Sequence, residues 1–550
     1  MLLFATFLFN LLCGLVPCDP NYSDPIVSSV PYKESDLLRE GRTCNESETS
    51  DPVVTLPSGG RLEGYGMKTV KGRPILAFEG IRYGRAERWK SPTPAEEWTG
   101  TLKANKRGSD CLQLSLAKYV RVYGSEDCLF ANVFSPRLPC NESGNNRGYP
   151  VIIYLHSGAF FMGSGSEHGP AYLLERNVVL VTVNYRLGVL GFLSTGDLSL
   201  PGNFGLKDQV LALEWVHKNI AAFGGDPDNI NLVGYSAGGI SSHLHMISNR
   251  TRHLFIRVAS LGTGSALQYW AVQSKERARY YANRVGRRLG CPTNDSTELV
   301  QCLKKVPVNT LVADSLNLFD WFPLPPVLVA PVVEPPHSDA FLLESPEDAY
   351  NRGHVAKKPW ITGTTSHEGM TAVLVLEIFQ RWLPFRLNWK LTSKSYLDLN
   401  YLSTVFGQSV EDVDQIVEKV TKFYFGNKPA MQGSNFEFAS IISHRFFQFG
   451  VLKGLQVHSA IAPSYAYYFS FDKGNYNMGN MYGHKSSEWG PGHAEDEYYY
   501  FNTSTQHPGF RESDPDYKMS QVMVNFLVNF VTTGYFILAK LQNILKTNLY

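Results

Sequence analysis

The chain reads as an α/β protein built on a mostly parallel, doubly wound sheet, and three observations say so. The continuous apolar runs Val151–Leu155 and Val178–Val183 have the pattern of strands buried on both faces, without the alternation of a half-solvated strand. Leu206, Val210, Leu213, Trp215 and Ile220 then return to one face of an amphipathic helix. Finally, Asn231–Ile247, NLVGYSAGGISSHLHMI, combines a short strand (Ile230–Val233), a glycine-flanked turn and a helix-compatible run. In a sheet of this kind, sites gather at the carboxyl ends of the strands.

Composition sets the bounds. The 550 residues, 43% of them apolar, suffice for a large core. With 51 basic and 50 acidic residues the formal charge is +1, which gives no footprint for nucleic acid and no polybasic membrane patch. A small molecule is the expected partner.

In chain order, Met1 to about Cys18 is an apolar run too short to span a bilayer, read as a secretory leader. Residues 19–50 are polar and irregular, and 51–550 are read as a single domain. The runs Val53–Leu56 and Pro74–Phe78 suggest an antiparallel hairpin at the sheet edge, and Cys128–Phe134 a further strand. Ala171–Arg176 is helix-compatible. Beyond the glycine turn, Arg257–Leu261 and Lys358–Thr364 read as strands and Gln273–Leu289 as a helix. The Pro-rich stretch from Asp320 to Pro336 cannot be regular. Residues 371 to about 460 look mostly helical, suited to a cap, and Tyr465–Phe471 is an aromatic strand. Gln521–Ala539 holds 19 uncharged residues, but its Asn, Thr and Gly favour a buried helix over a membrane span.

Six N-x-[ST] sequons, at Asn21, Asn45, Asn141, Asn249, Asn294 and Asn502, agree with a secreted glycoprotein. Of eight cysteines, those at 13 and 18 belong to the leader or its edge. Spacing suggests the local pairs Cys111–Cys128 and Cys291–Cys302, which leaves Cys44 and Cys140 for each other. No Cys/His spacing resembles a metal site, and neither a metal nor a cofactor is expected.

The glycine turn is also where chemistry is expected. Gly234 and Gly238 let the chain reverse and expose Ser236 at the apex, the geometry of an activated serine. A serine needs a base, and the base needs an orienting acid. His493, in the Gly-rich loop from Met481, and Glu368, in GTTSHEG just past a strand, supply them from separate post-strand loops. Donors for a developing oxyanion require small residues, and His156-Ser157-Gly158-Ala159-Phe160-Phe161-Met162-Gly163 offers them at the end of a strand, with Ala237 beside the serine as the other donor.

On SEDCLFANVF (125–134), HSGAFFMG (156–163), NYRLGVLGFLS (184–194), GNFGLKDQVLALEWVHKNIAAFGGDPDNI (202–230), GYSAGG (234–239), GTTSHEG (363–369) and GPGHAEDE (490–497), the chain resembles the type-B carboxylesterase/cholinesterase family, in detail the insect carboxylesterases. The resemblance spans roughly residues 50–533. It implies the α/β-hydrolase fold, Ser236 as nucleophile, His493 as base and acid, Glu368 as orienting acid, and Gly158, Ala159 and Ala237 as oxyanion donors. It implies the disulfides Cys111–Cys128 and Cys291–Cys302 as well.

Three departures from the family pattern bear on specificity. Ser157 stands where glycine is usual, and the expectation is that its hydroxyl narrows the alcohol side of the site or holds a water. Tyr235 replaces the glutamate that precedes the cholinesterase serine, and the 111–128 loop lacks the Trp that serves as a cation platform. Both disfavour choline esters. After Thr533-Gly534 the tail is short and atypical. The resulting reading is a secreted serine esterase for uncharged, apolar esters. A lipase or hormone-specific esterase is the runner-up among enzymes, and a catalytically inactive, neuroligin-like adhesion protein is the alternative from another class.

Overall fold

A computed structural model describes residues 52–535 apart from 116–120, 140–147, 320–328, 379–386, 398, 400–408, 473, 475–488 and 504–508. The leader, Cys44, Cys140 and the sequons at Asn21, Asn45 and Asn141 therefore lie outside the described residues.

The principal sheet has nine strands, β1 (Tyr65–Lys68), β2 (Pro74–Arg82), β3 (Phe130–Ser135), β4 (Tyr149–Leu155), β5 (Val179–Val183), β6 (Gly225–Tyr235), β7 (Arg257–Leu261), β8 (Trp360–Thr365) and β9 (Ser464–Phe469). Their spatial order is β9-β8-β7-β6-β4-β5-β3-β2-β1. Pairs from β9 through β4 to β5 are parallel, while β5–β3, β3–β2 and β2–β1 are antiparallel. The sheet is thus mixed, with its parallel part where the apolar runs are continuous. Every residue of β5 is buried, as is Val151–Leu155 of β4, because helices cover both faces.

Helix α1 (Phe204–Asn219) buries Leu206, Val210, Leu213 and Val216, a helical repeat, and Trp215 lies only half-buried beside that stripe. Helix α2 (Ala237–Ile247) is buried along its whole length against β6 and β7. The cap region is helical as expected, with α3 (Met370–Ile378), α4 (Val410–Phe425), α5 (Asn435–Ile442) and α6 (Phe449–His458). Between α5 and α6 the chain widens into a π-helical turn, Ser443–Gln448. Both expected disulfides among the described residues are formed, Cys111–Cys128 and Cys291–Cys302.

Three readings need correction. Val53–Thr55 does not pair with Pro74–Phe78. It joins Arg61–Glu63 and Thr101–Lys103 in a separate small sheet, and the antiparallel partners of β2 are β1 and β3. The turn at Gly59-Gly60 closes the first run onto its near neighbour, where loop-closure entropy is smallest. Ala171–Arg176 yields only the single 3₁₀ turn Leu173–Glu175, since so short a segment cannot repay helix nucleation. The late apolar run forms α7 (Pro515–Thr533), which starts earlier and ends sooner than the run itself. Asp514-Pro515 opens α7, and left-handed Gly534 (φ 77°) stops it. Its carbonyls at Val531 and Thr532 accept from the Arg257 guanidinium at 2.9 and 3.4 Å. Among the described residues, no helix is long and apolar enough to cross a membrane.

Candidate active site

Strand β6 delivers the serine. Ser236 ends it with φ 51° and ψ −116°, outside the comfortable regions for an L-residue, and α2 begins at the next residue. The turn is held because Ser236 N–H donates to Leu261 O at 3.0 Å and Ile240 N–H donates to Ser236 O at 2.8 Å. Glycine is required on both sides. A Cβ on Gly234 would lie 2.1 Å from Gly238 O, and one on Gly238 2.0 Å from Leu155 O. The second contact shows that the start of α2 lies directly against the end of β4, where the candidate oxyanion loop begins.

His493 Nε2 lies 2.8 Å from Ser236 Oγ, and its Nδ1 lies 2.7 Å from Glu368 Oε2. With a carboxylate on Nδ1, that nitrogen carries the proton and Nε2 accepts from the serine hydroxyl. Glu368 is fully buried, and its other oxygen accepts from Thr365 N–H (2.6 Å) and Thr364 Oγ1 (3.0 Å), so the carboxylate cannot swing. The three residues come from the ends of β6 and β8 and from the loop after β9. They form one continuous hydrogen-bonded line.

The loop after β4 has an unusual backbone: Gly158 (φ 115°), Ala159 (φ 52°) and Phe160 (φ 65°) are consecutively left-handed. A Cβ on Gly158 would meet Met162 O at 2.0 Å. Among the described residues, the N–H groups of Gly158, Ala159 and Ala237 have no protein acceptor, as donors reserved for a ligand would be. The loop is anchored at both ends. Tyr185 Oη, in the NYRLG run, donates to His156 O at 2.8 Å. At the far end the Gln113 amide both accepts from Gly163 N–H (2.7 Å) and donates to Gly163 O (2.9 Å). The next residue after Tyr185, Arg186, makes a bidentate pair with Asp208 of α1, both bonds 2.7 Å.

Over residues 50–541 the chain matches the carboxylesterase family. It belongs to that family. Esterase FE4 of Myzus persicae is 36% identical over 505 residues, 90% of this chain and 86% of that one. Venom carboxylesterase-6 of Apis mellifera is 32% identical over 487 residues, 86% of this chain and 84% of its own. The crystal structure of juvenile hormone esterase from Manduca sexta, with OTFP covalently attached, superposes with a TM-score of 0.76 at 30% identity, covering 88% of this chain and 91% of that one. The carboxylesterase is accordingly an α/β-hydrolase and a carboxylic ester hydrolase.

The two residues singled out as departures each bond to a carboxylate of the 493–497 segment. Tyr235 is wholly buried, and its hydroxyl donates to Asp496 and accepts from Ala494 N–H at 3.2 Å. Tyr467 Oη donates to the other Asp496 oxygen at 2.7 Å and accepts from Gly262 N–H at 2.9 Å. Burial pushes the Asp496 carboxyl up to about 6, against the pull of both hydroxyls. Tyr235 thus ties the serine turn of the carboxylesterase to its histidine loop. The Ser157 hydroxyl donates to Glu497 Oε2 at 3.2 Å.

Sequence reasoning missed Asp496, Glu497 and Phe447. The first two were in view as acidic neighbours of His493, in HAEDEYYYF, and the aromatic run behind them was the available sign of burial. The Phe447 ring stacks on His493, and its carbonyl accepts from Gln268 Nε2. Nothing in its local sequence marks it.

Proposed function

We propose that this carboxylesterase hydrolyses uncharged, apolar esters through an acyl-enzyme formed on Ser236, and that it acts outside the cell. The hydrogen-bonded line Ser236–His493–Glu368 carries the reading. As Ser236 Oγ attacks the ester carbonyl carbon, His493 Nε2 takes its proton, and Glu368 steadies the resulting imidazolium. The carbonyl oxygen becomes an oxyanion received by the N–H groups of Gly158, Ala159 and Ala237. Collapse breaks the bond to the alkoxy oxygen, which leaves with the proton from His493. Water, deprotonated by His493, then attacks the acyl carbon and releases the acid and Ser236.

The preference for apolar esters is supported by a groove lined by Leu112, Leu114, Phe161, Leu187, Val312 and Phe319, with no charged side chain on its walls among the described residues. Phe161, on its wall, belongs to the same 156–163 loop as Gly158 and Ala159. The leader, the exposed sequons at Asn249 and Asn294 and the likeness to a venom esterase support secretion.

The test is hydrolysis of p-nitrophenyl esters from acetyl to decanoyl, with the negatively charged hemisuccinyl ester alongside, by the wild type and Ser236→Ala. The variant should lose about five orders of magnitude in kcat, and wild-type kcat/KM should favour medium over charged acyl groups. Equal rates from the two proteins would overturn the reading.

A further inference from the structure

Glu497 lies four residues after His493, in the 3₁₀ turn Asp496–Tyr499, and is 5% exposed. It reaches away from its own loop. One oxygen accepts from the Tyr154 hydroxyl, on β4, and from His168 Nε2 at 3.1 Å, while the other accepts from Ser157 Oγ. A buried carboxylate with three donors converging on it is satisfied as an anion.

His168 is its counter-charge, and geometry shows why. Its Nε2 faces the carboxylate and its Nδ1 faces Ser164 O at 3.0 Å, so both nitrogens have only acceptors before them and both donate. Burial alone would lower its pKa, but the hydrogen bond and charge of Glu497 outweigh it, and the pKa lies above the ordinary value. Burial would likewise raise Glu497, yet His168 and the Tyr154 and Ser157 hydroxyls hold it below the ordinary carboxylate value. The same segments meet once more in a short antiparallel pair, His168-Gly169 with Asn502-Thr503.

Ser157 is the residue immediately before Gly158 and Ala159. Its hydroxyl bond to Glu497 therefore fixes the chain just where the left-handed turn begins. We propose that Glu497, held by His168, is a positioning residue that sets the oxyanion loop through the Ser157 hydroxyl and so couples that loop to the segment carrying His493. This rests on the reading of Ser236 and the loop given above. Glu497 touches no reacting atom; it acts through Ser157.

The experiment compares wild type, Ser157→Ala, Ser157→Thr, Glu497→Gln and the double variant Ser157→Ala/Glu497→Gln. Steady-state kinetics on p-nitrophenyl butyrate are paired with inhibition by an alkyl trifluoromethyl ketone. Ser236 Oγ adds to the ketone carbon, its proton passes to His493, and the ketone oxygen becomes an oxyanion in the same loop. Ser157→Ala should lower kcat about tenfold with KM unchanged, and weaken the ketone by the same factor. Ser157→Thr should restore both, and the double variant should be no worse than Glu497→Gln alone. Ser157 is half-buried, so its alanine variant decides the matter even if Glu497→Gln fails to fold. Wild-type kcat and ketone affinity in Ser157→Ala, or a change in KM alone, would overturn the proposal. Undiminished turnover by Ser236→Ala would instead remove the reading on which it rests.

Discussion

The Phe447 ring lies parallel to the His493 imidazole, with 4.5 Å between centroids and 22° between planes. The π-helical turn Ser443–Gln448 puts it there, and the same turn offers Ser443 Oγ to Gly369 N–H, beside Glu368, at 2.9 Å. One irregular turn of the cap thus supports both His493 and the segment of Glu368. An aromatic face over an imidazole is attractive mainly when the imidazole becomes a cation, as during proton transfer. Phe447→Leu should therefore lower kcat by about threefold to tenfold with little change in KM, while Phe447→Tyr should keep most of the activity. An unaltered kcat in the leucine variant would show that the ring only fills space.

Glu368→Gln is a sharper probe of the same residues. The amide preserves shape, and its oxygen can still accept from Thr365 N–H. Its NH₂ then faces Nδ1 of His493 and moves the ring proton to Nε2, where it can no longer accept from Ser236. The expected loss is about four orders of magnitude in kcat with an intact fold. A melting temperature near that of the wild type, together with the kinetic loss, would check it; a loss under tenfold would contradict it.

Acid should weaken the fold through buried neutral histidines. Burial pulls His156 and His245 down to about 3 and His243 well below its ordinary value. From about pH 6.5 downward the unfolded chain takes up these protons and the folded chain does not, which costs about 1.4 kcal/mol per pH unit for each histidine. Asp496 has the opposite sign, because its pKa is raised to about 6; between there and the ordinary carboxylate value, protonation favours the folded state. Of these four groups the three histidines outweigh the one carboxyl, so together they remove stability on acidification below about pH 6.5. Thermal denaturation at pH 6.5 and 5.5 should show a lower midpoint at pH 5.5, and an equal or higher one would refute the assignment.

Glycosylation should discriminate between sequons. Asn249 and Asn294 are exposed, whereas Asn502 is half-buried and its side-chain oxygen accepts from Ala171 N–H at 2.8 Å. Its amide also lies against Gly169, where even a Cβ would come within 2.5 Å. Peptide mapping of the secreted protein should find glycans at Asn249 and Asn294 and none at Asn502. Occupied Asn502 would contradict this structure of the Gly169–Asn502 pair.

The parts that could be read in advance share a physical cause. β4 and β5 declared themselves because burial on both faces demands continuous apolar sequence, and α1 because burial on one face imposes a helical repeat. Ser236 was legible because its turn needs glycine at fixed offsets. Strand pairing was not legible in the same way: Val53–Thr55 and Pro74–Arg82 carry no mark of their partners, which a nearby turn decided. Glu497 and Phe447 are harder still. Their meaning lies in contacts with Ser157, 340 residues away, and with a ring in another loop. Ser157 shows the limit most clearly, since its identity could be read and its partner Glu497 could not.

The three left-handed residues Gly158, Ala159 and Phe160 have a consequence for how such a site can vary. In the proposed mechanism what this turn supplies to an oxyanion is the direction of the Gly158 and Ala159 peptide groups, and peptide groups are common to every sequence. The alanine at 159 is therefore compatible with that capacity as long as the left-handed backbone is kept. A β-branched side chain there, chemically inert and smaller than many residues the groove accommodates, would be far more damaging than a change of polarity. The site is inherited as a set of dihedral angles, and its tolerance to mutation follows the Ramachandran map more closely than any scale of side-chain similarity.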